Sequence, residues 1–143
     1  MKKVTPLAAT LYARYLEDGK LSQLDLHHVV LAGLPAVQVA CLLSAFKSIP
    51  KRELLAVLVL SERTLLRRKA STLPPAVSGA ALDLEGILRT AVSVLGSMEE
   101  AEHWLAQPAV AFRGHRPIEL LATRQGTRLV RNQLACTEHG VYV

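Results

Sequence analysis

Aromatic residues and cysteines are scarce in this chain. Phe, Trp and Tyr make up 4% of its 143 residues, and there are two cysteines. Cys41 and Cys136 lie far apart and fit no disulfide framework, so each reads as a small buried apolar residue. No stretch approaches the ~20 apolar residues of a membrane span. Behind Lys2 and Lys3, a signal-like apolar run is interrupted by Arg14, Glu17 and Asp18. The chain therefore reads as cytoplasmic, with no membrane partner. Neither a Cys/His pattern with metal-ligand spacing nor a Gly-rich phosphate loop is present. His27 and His28 are adjacent and point apart on a helix. Cys136, Glu138 and His139 have no accompanying oxyanion element. The expectation is a protein that is not an enzyme and uses no cofactor.

The polar complement is uneven. Half of the residues are hydrophobic, mean hydropathy is +0.26, and some apolar surface is expected to be covered by another subunit or partner. The net charge of +5 and the pI near 9.6 favour an anionic partner. The cations form two clusters. One holds Lys47, Lys51, Arg52, Arg63, Arg67, Arg68 and Lys69 against Glu53 and Glu62; the other holds Arg113, Arg116, Arg124, Arg128 and Arg131 against Glu119 alone.

Nothing reads as a strand, and the expected fold class is all-α. Pro6 opens an amphipathic helix over residues 5–17, and Ser22 caps a second that Gly33 stops. Pro35 opens a third, running to about Phe46, which is apolar on nearly every face and so is buried or lines a subunit contact. A helix over 51–58, a short turn and a helix over 62–70 capped by Ser61 have the proportions of a helix-turn-helix. On a helix, Arg63, Thr64, Arg67 and Arg68 share an arc of about 140°, opposite Leu65 and Leu66. These four are candidate DNA contacts, with Lys51 and Arg52, beside Lys47, expected at the phosphate backbone. The turn of such a unit favours Gly where the chain goes left-handed. Here the nearest residue is Val59, for which that conformation costs on the order of 1–2 kcal/mol. Either the turn differs in detail or the motif is degenerate.

The uncharged, Pro-rich segment 71–79 reads as a linker. It divides the chain into an N-terminal extension (1–21), a DNA-binding and dimerisation region (22–70) and a C-terminal domain (80–143). In the last of these, a helix over 80–95 is closed by Gly96, and Ser97-Met98-Glu99-Glu100 forms a capping box. Trp104, Leu105, Leu120 and Leu121 are core candidates. Pro117 starts a further helix, Gly126 punctuates the chain, and a last helix begins at Thr127. Arg128 and Arg131 share a face of it, and Arg124 joins them only if the helix continues through Gly126.

The ordered set Ala101-Glu102-His103-Trp104-Leu105, Pro108, Arg116-Pro117-Ile118-Glu119-Leu120-Leu121, Gly126 and His139-Gly140-Val141-Tyr142 resembles the toxin-binding domain of the Xre, ParS and MbcA antitoxins. Arg63-Thr64-Leu65-Leu66-Arg67-Arg68 resembles the recognition helix of the DNA-binding half that precedes it in that family. The resemblance implies a helix-turn-helix-like N-terminal half followed by a small helical toxin-binding domain. It also implies a cognate toxin, commonly of the RES type that depletes NAD, and an operator DNA as partners. The protein would then act as a homodimer and within a larger toxin–antitoxin complex. On this reading Arg124, Arg128, Arg131 and the terminal His139, Gly140, Val141 and Tyr142 enter the toxin's cleft, pair with its acidic groups and exclude substrate. His139 departs from the pattern, in which an aromatic such as Tyr is usual. The competing expectation is a stand-alone helix-turn-helix transcription regulator whose C-terminal half only dimerises.

Overall fold

The computed structural model describes residues 21–140, and they are all-α. The helices are α1 (Gln23–Ala32), α2 (Ala36–Ser44), α3 (Lys51–Leu58), α4 (Glu62–Arg67), α5 (Pro75–Leu95), α6 (Met98–Ala106), α7 (Pro117–Leu120) and α8 (Arg124–Glu138), with a 3-10 turn at Val110–Phe112. The helix expected over 5–17 and the terminal residues Val141 and Tyr142 lie outside the described residues. Among the described residues no helix is long and apolar enough to cross a membrane.

Local hydrogen bonding explains most of the helix starts. The hydroxyls of Ser22, Ser61, Ser97 and Thr123 accept from the backbone N–H three residues on, which satisfies a donor that the first turn leaves unpaired. Prolines precede or open α2, α3, α5 and α7, where a missing N–H is harmless.

The long helix α5 is the axis of the molecule and packs against α1, α3, α6 and α8. Val77, Ala81, Leu84, Leu88 and Ala91 recur at helical spacing on its buried side. The core runs without a break from Val29 in α1 to Leu134 in α8. It therefore spans the boundary that the sequence places at 71–79. That segment is not a linker: Ser71, Thr72 and Leu73 are buried, and Pro75 begins α5. Two prolines in succession look like a spacer, but the second sits at the first helical position, where its fixed φ suits a helix. Ser78 is fully buried; its hydroxyl accepts from Leu34 N–H at 2.9 Å and donates to Leu73 C=O at 3.2 Å. The backbone adds Leu73 N–H to Leu34 C=O at 2.9 Å and Ala36 N–H to Ser71 C=O at 3.0 Å. The α1–α2 turn is thus sewn to the start of α5.

Two further expectations change. Cys41 is exposed rather than buried, and Cys136 is half-buried; α2 leaves one side open, with Val37 52% exposed. Gly126 does not mark a helix boundary but lies in the first turn of α8. A Cβ there would run into the carbonyl oxygen of Leu120, so glycine is what lets α8 close onto α7.

Candidate functional site

The first basic cluster is built on two short helices, α3 and α4. Leu54, Leu55, Val57, Leu58 and Leu65 are buried, which holds α3 and α4 to the core by one face each. Between them Val59 adopts φ 51°, ψ 49°, the left-handed conformation, with its side chain 82% exposed. The turn therefore has the shape that usually calls for glycine and achieves it with a β-branched residue. Little burial offsets the strain, so the packing of the flanking helices must hold it in place.

The expected arc of cations is only partly assembled. Arg63 and Arg67 are exposed one turn apart on α4, and Arg52 is exposed on α3. Among the described residues these three have no ion-pair partner. Thr64 is half-buried, and its hydroxyl accepts from Ser61 Oγ at 2.8 Å as part of the cap. The helix ends at Arg67, so Arg68 is the cap residue rather than a helical one, and its Nη1 donates to Thr72 C=O at 3.3 Å. Lys51 meets Glu62 at 3.0 Å, an exposed pair that joins the starts of α3 and α4. Lys69 falls beyond the helix and is exposed.

Two polar connections tie this unit to the C-terminal helices. Glu102, in α6, is 3% exposed, and its carboxylate accepts from the backbone N–H groups of Lys47 (2.9 Å), Ser48 and Ile49 (2.7 Å). Burial pushes this carboxyl up, but the backbone donors outweigh it and hold the pKa below the ordinary 4.5. Arg116, the cap residue of α7, donates to Glu53 of α3 at 2.8 Å and to Glu119 at 2.9 Å. The hydrogen bond to Glu53, then that to Glu119, raises the guanidinium pKa above its usual value. Neither connection is foreseen from the sequence. A signal for Glu102 exists, since Met98, Glu102 and Leu105 follow i, i+4, i+7 spacing and place a carboxylate on the buried stripe of α6.

The second basic cluster lies on α8. Because this helix starts at Arg124, Arg124, Arg128 and Arg131 do follow one another at i, i+4 and i+7. Arg131 is drawn off by Asp83 of α5 at 2.8 Å. Arg124 and Arg128 are exposed and, among the described residues, unpaired; Leu129 beside them is 53% exposed. The opposite side of α8 is buried through Gly126, Thr127, Val130 and Leu134. His139 caps the helix, and the exposed Gly140 turns left-handed at φ 74°. Of the remaining core candidates, Leu105 and Leu121 are buried. Trp104 and Leu120 are half-buried, with Trp104 edge-on to Phe112 at 6.4 Å between ring centres.

Among the described residues, fold and surface together define an all-helical arrangement with a helix-turn-helix-like front half and a C-terminal helical unit closed by a basic helix. Residues 90–140 match the family model of the antitoxin Xre/MbcA/ParS C-terminal toxin-binding domain. This part of the chain is similar to that domain, and the resemblance carried by Ala101–Leu105, Arg116–Leu121 and Gly126 agrees with the match. The match begins inside α5, at Thr90, rather than at its expected start near residue 80. No curated protein matches the chain.

Proposed function

We propose that this chain is the antitoxin of a type II toxin–antitoxin pair. It neutralises a RES-type, NAD-depleting toxin in the cytoplasm by covering its active site, and it regulates its own operon by binding DNA as a dimer. The match of residues 90–140 to the toxin-binding domain carries the reading. Residues 80–143 hold the toxin and residues 22–70 meet the operator. Inhibition needs no chemistry by this chain, only a tight contact that excludes substrate.

The exposed, unpaired Arg124 and Arg128 support a contact with acidic groups at the toxin's cleft. His139 and Gly140 close the end of α8, and with Val141 and Tyr142, which lie outside the described residues, they are the further candidates for the toxin contact. The left-handed turn at Val59 and the outward Arg63 and Arg67 support insertion of α4 into a major groove. Arg52 and Lys51 approach the phosphates. Thr64 and Arg68 contact DNA only after leaving the hydrogen bonds they make within the chain.

The two roles are tested with two double variants of the full chain. Arg63→Ala/Arg67→Ala is expected to weaken operator binding at least tenfold and to relax its sequence preference, with toxin inhibition intact. Arg124→Ala/Arg128→Ala should do the reverse, weakening toxin inhibition by roughly 10–100-fold. A chain that binds the operator but inhibits no toxin in either form would be a stand-alone regulator and would refute the antitoxin reading.

A further inference from the structure

The loop between α6 and α7 places an apolar side chain at its apex. Val110 is 97% exposed, more than any other large hydrophobic residue among the described ones. Isolated exposed apolar residues are ordinary, but this one sits on a closed scaffold. Ala109 N–H donates to His115 C=O at 3.1 Å, and Gly114 N–H donates to Ala109 C=O at 2.9 Å, which joins the two arms of the loop. Phe112 N–H donates to Ala109 C=O and His115 N–H to Phe112 C=O, each at 3.0 Å. The Phe112 ring is buried against Trp104 and anchors the loop from below. Arg113 is left-handed at φ 55°; among the described residues only Val59 shares that conformation without being glycine. A strained residue inside a closed loop fixes the direction in which Val110 points.

The surroundings specify a partner. Residues 106–118 contain no Asp or Glu, Ala111 and Arg113 are exposed beside Val110, and His115 on the far arm of the loop faces Glu119 at 3.6 Å. The surface is an apolar knob with one exposed guanidinium, Arg113, at its edge, which complements an apolar socket with a carboxylate at its rim. DNA is a poor fit, since Val110 and Ala111 offer no side-chain donor to phosphate. A second copy of this chain also fits poorly. Its apolar groove between α3, α5 and α8, about 500 Å³, carries Arg124 as well as Asp83, and Asp83 is already engaged by Arg131. The loop lies within the matched toxin-binding segment.

We infer that Val110, flanked by Ala111 and Arg113, is a preformed anchor that inserts into an apolar, acid-rimmed socket on the toxin, apart from the contacts of α8. This rests on the antitoxin reading above. Its rigid loop loses little freedom on binding, which favours a hot spot.

The test is calorimetric titration of the full chain into the purified toxin, the latter identified by growth arrest that this chain relieves. Val110→Asp is expected to weaken binding by roughly 10–100-fold with an unchanged circular dichroism spectrum. Val110→Ala should weaken it by roughly fivefold and serves if the aspartate variant does not fold. Leu24→Asp, at an exposed position on α1, should bind like the unaltered chain. If the unaltered chain binds and both Val110 variants match it within twofold, the anchor is refuted and the antitoxin reading stands. If the unaltered chain binds no toxin, the antitoxin reading falls and the anchor with it. Loss of self-association in Val110→Asp with toxin affinity unchanged would reassign the knob to a contact between copies and overturn the proposal.

Discussion

Glu102 is a carboxylate that has exchanged nearly all of its water for backbone N–H groups of another part of the chain. An amide at this position would present a donor to donors, so Glu102→Gln is expected to destabilise the protein by about 2 kcal/mol in urea titrations at neutral pH. The pH dependence follows from the lowered pKa. The ionised form is favoured in the folded state, so its contribution is complete well above the unfolded carboxylate's value near 4.5 and is lost as pH falls through the lower folded value. The stability gap between the unaltered protein and the glutamine variant should therefore narrow as the pH is lowered below that range. Val59 is the opposite case, a residue whose conformation is unfavourable and whose side chain is mostly in solvent. Relief of about 1–2 kcal/mol of left-handed strain, less the added freedom of glycine in the unfolded chain, predicts that Val59→Gly stabilises the protein by up to about 1 kcal/mol. A urea titration that showed a loss instead would mean that Val59 makes a packing contribution larger than its exposure suggests.

At the scale of elements, the helix starts were legible because a cap is a local event. Ser22, Ser61 and Ser97 bond N–H groups three positions on, and their spacing reveals this without knowledge of the fold. The turn at residue 59 was only half legible. The spacing of the two helices located it, but a β-branched residue argued for a different or degenerate turn, whereas Val59 itself adopts the left-handed conformation. The start of α8 was not legible, because a glycine that stops a helix and one that admits a neighbouring backbone look alike in sequence. Only the approach of the Leu120 carbonyl identifies Gly126 as the second kind. Gly126→Ala should force α7 and α8 apart, destabilise the protein by about 2 kcal/mol or more in thermal unfolding, and weaken toxin binding through displacement of Arg124 and Arg128. The arc on α4 was half legible. Periodicity grouped Arg63, Thr64, Arg67 and Arg68, but the helix ends at Arg67, and hydrogen bonds within the chain claim Thr64 and Arg68.

For the whole molecule, the surprise is the absence of a seam at 71–79. The contacts that close it pair residues 44 to 63 positions apart: Ser78 with Leu34, Glu102 with the 47–49 backbone, and Arg116 with Glu53. Such pairings leave no periodic trace in one sequence, so composition alone suggested two bodies. The shared core predicts one cooperative thermal transition for the full chain, with equal calorimetric and van't Hoff enthalpies. Two resolved transitions would contradict the packing of α5 against both halves. It also means that the faces proposed for the toxin, on α8, and for the operator, on α4, rest on the same core. The most direct test of the central claim is titration of the cognate toxin's NAD consumption with the full chain. The account predicts complete inhibition at a fixed stoichiometry, shifted to roughly 10–100-fold higher concentrations in Arg124→Ala/Arg128→Ala. Undiminished NAD consumption at saturating unaltered chain would contradict it.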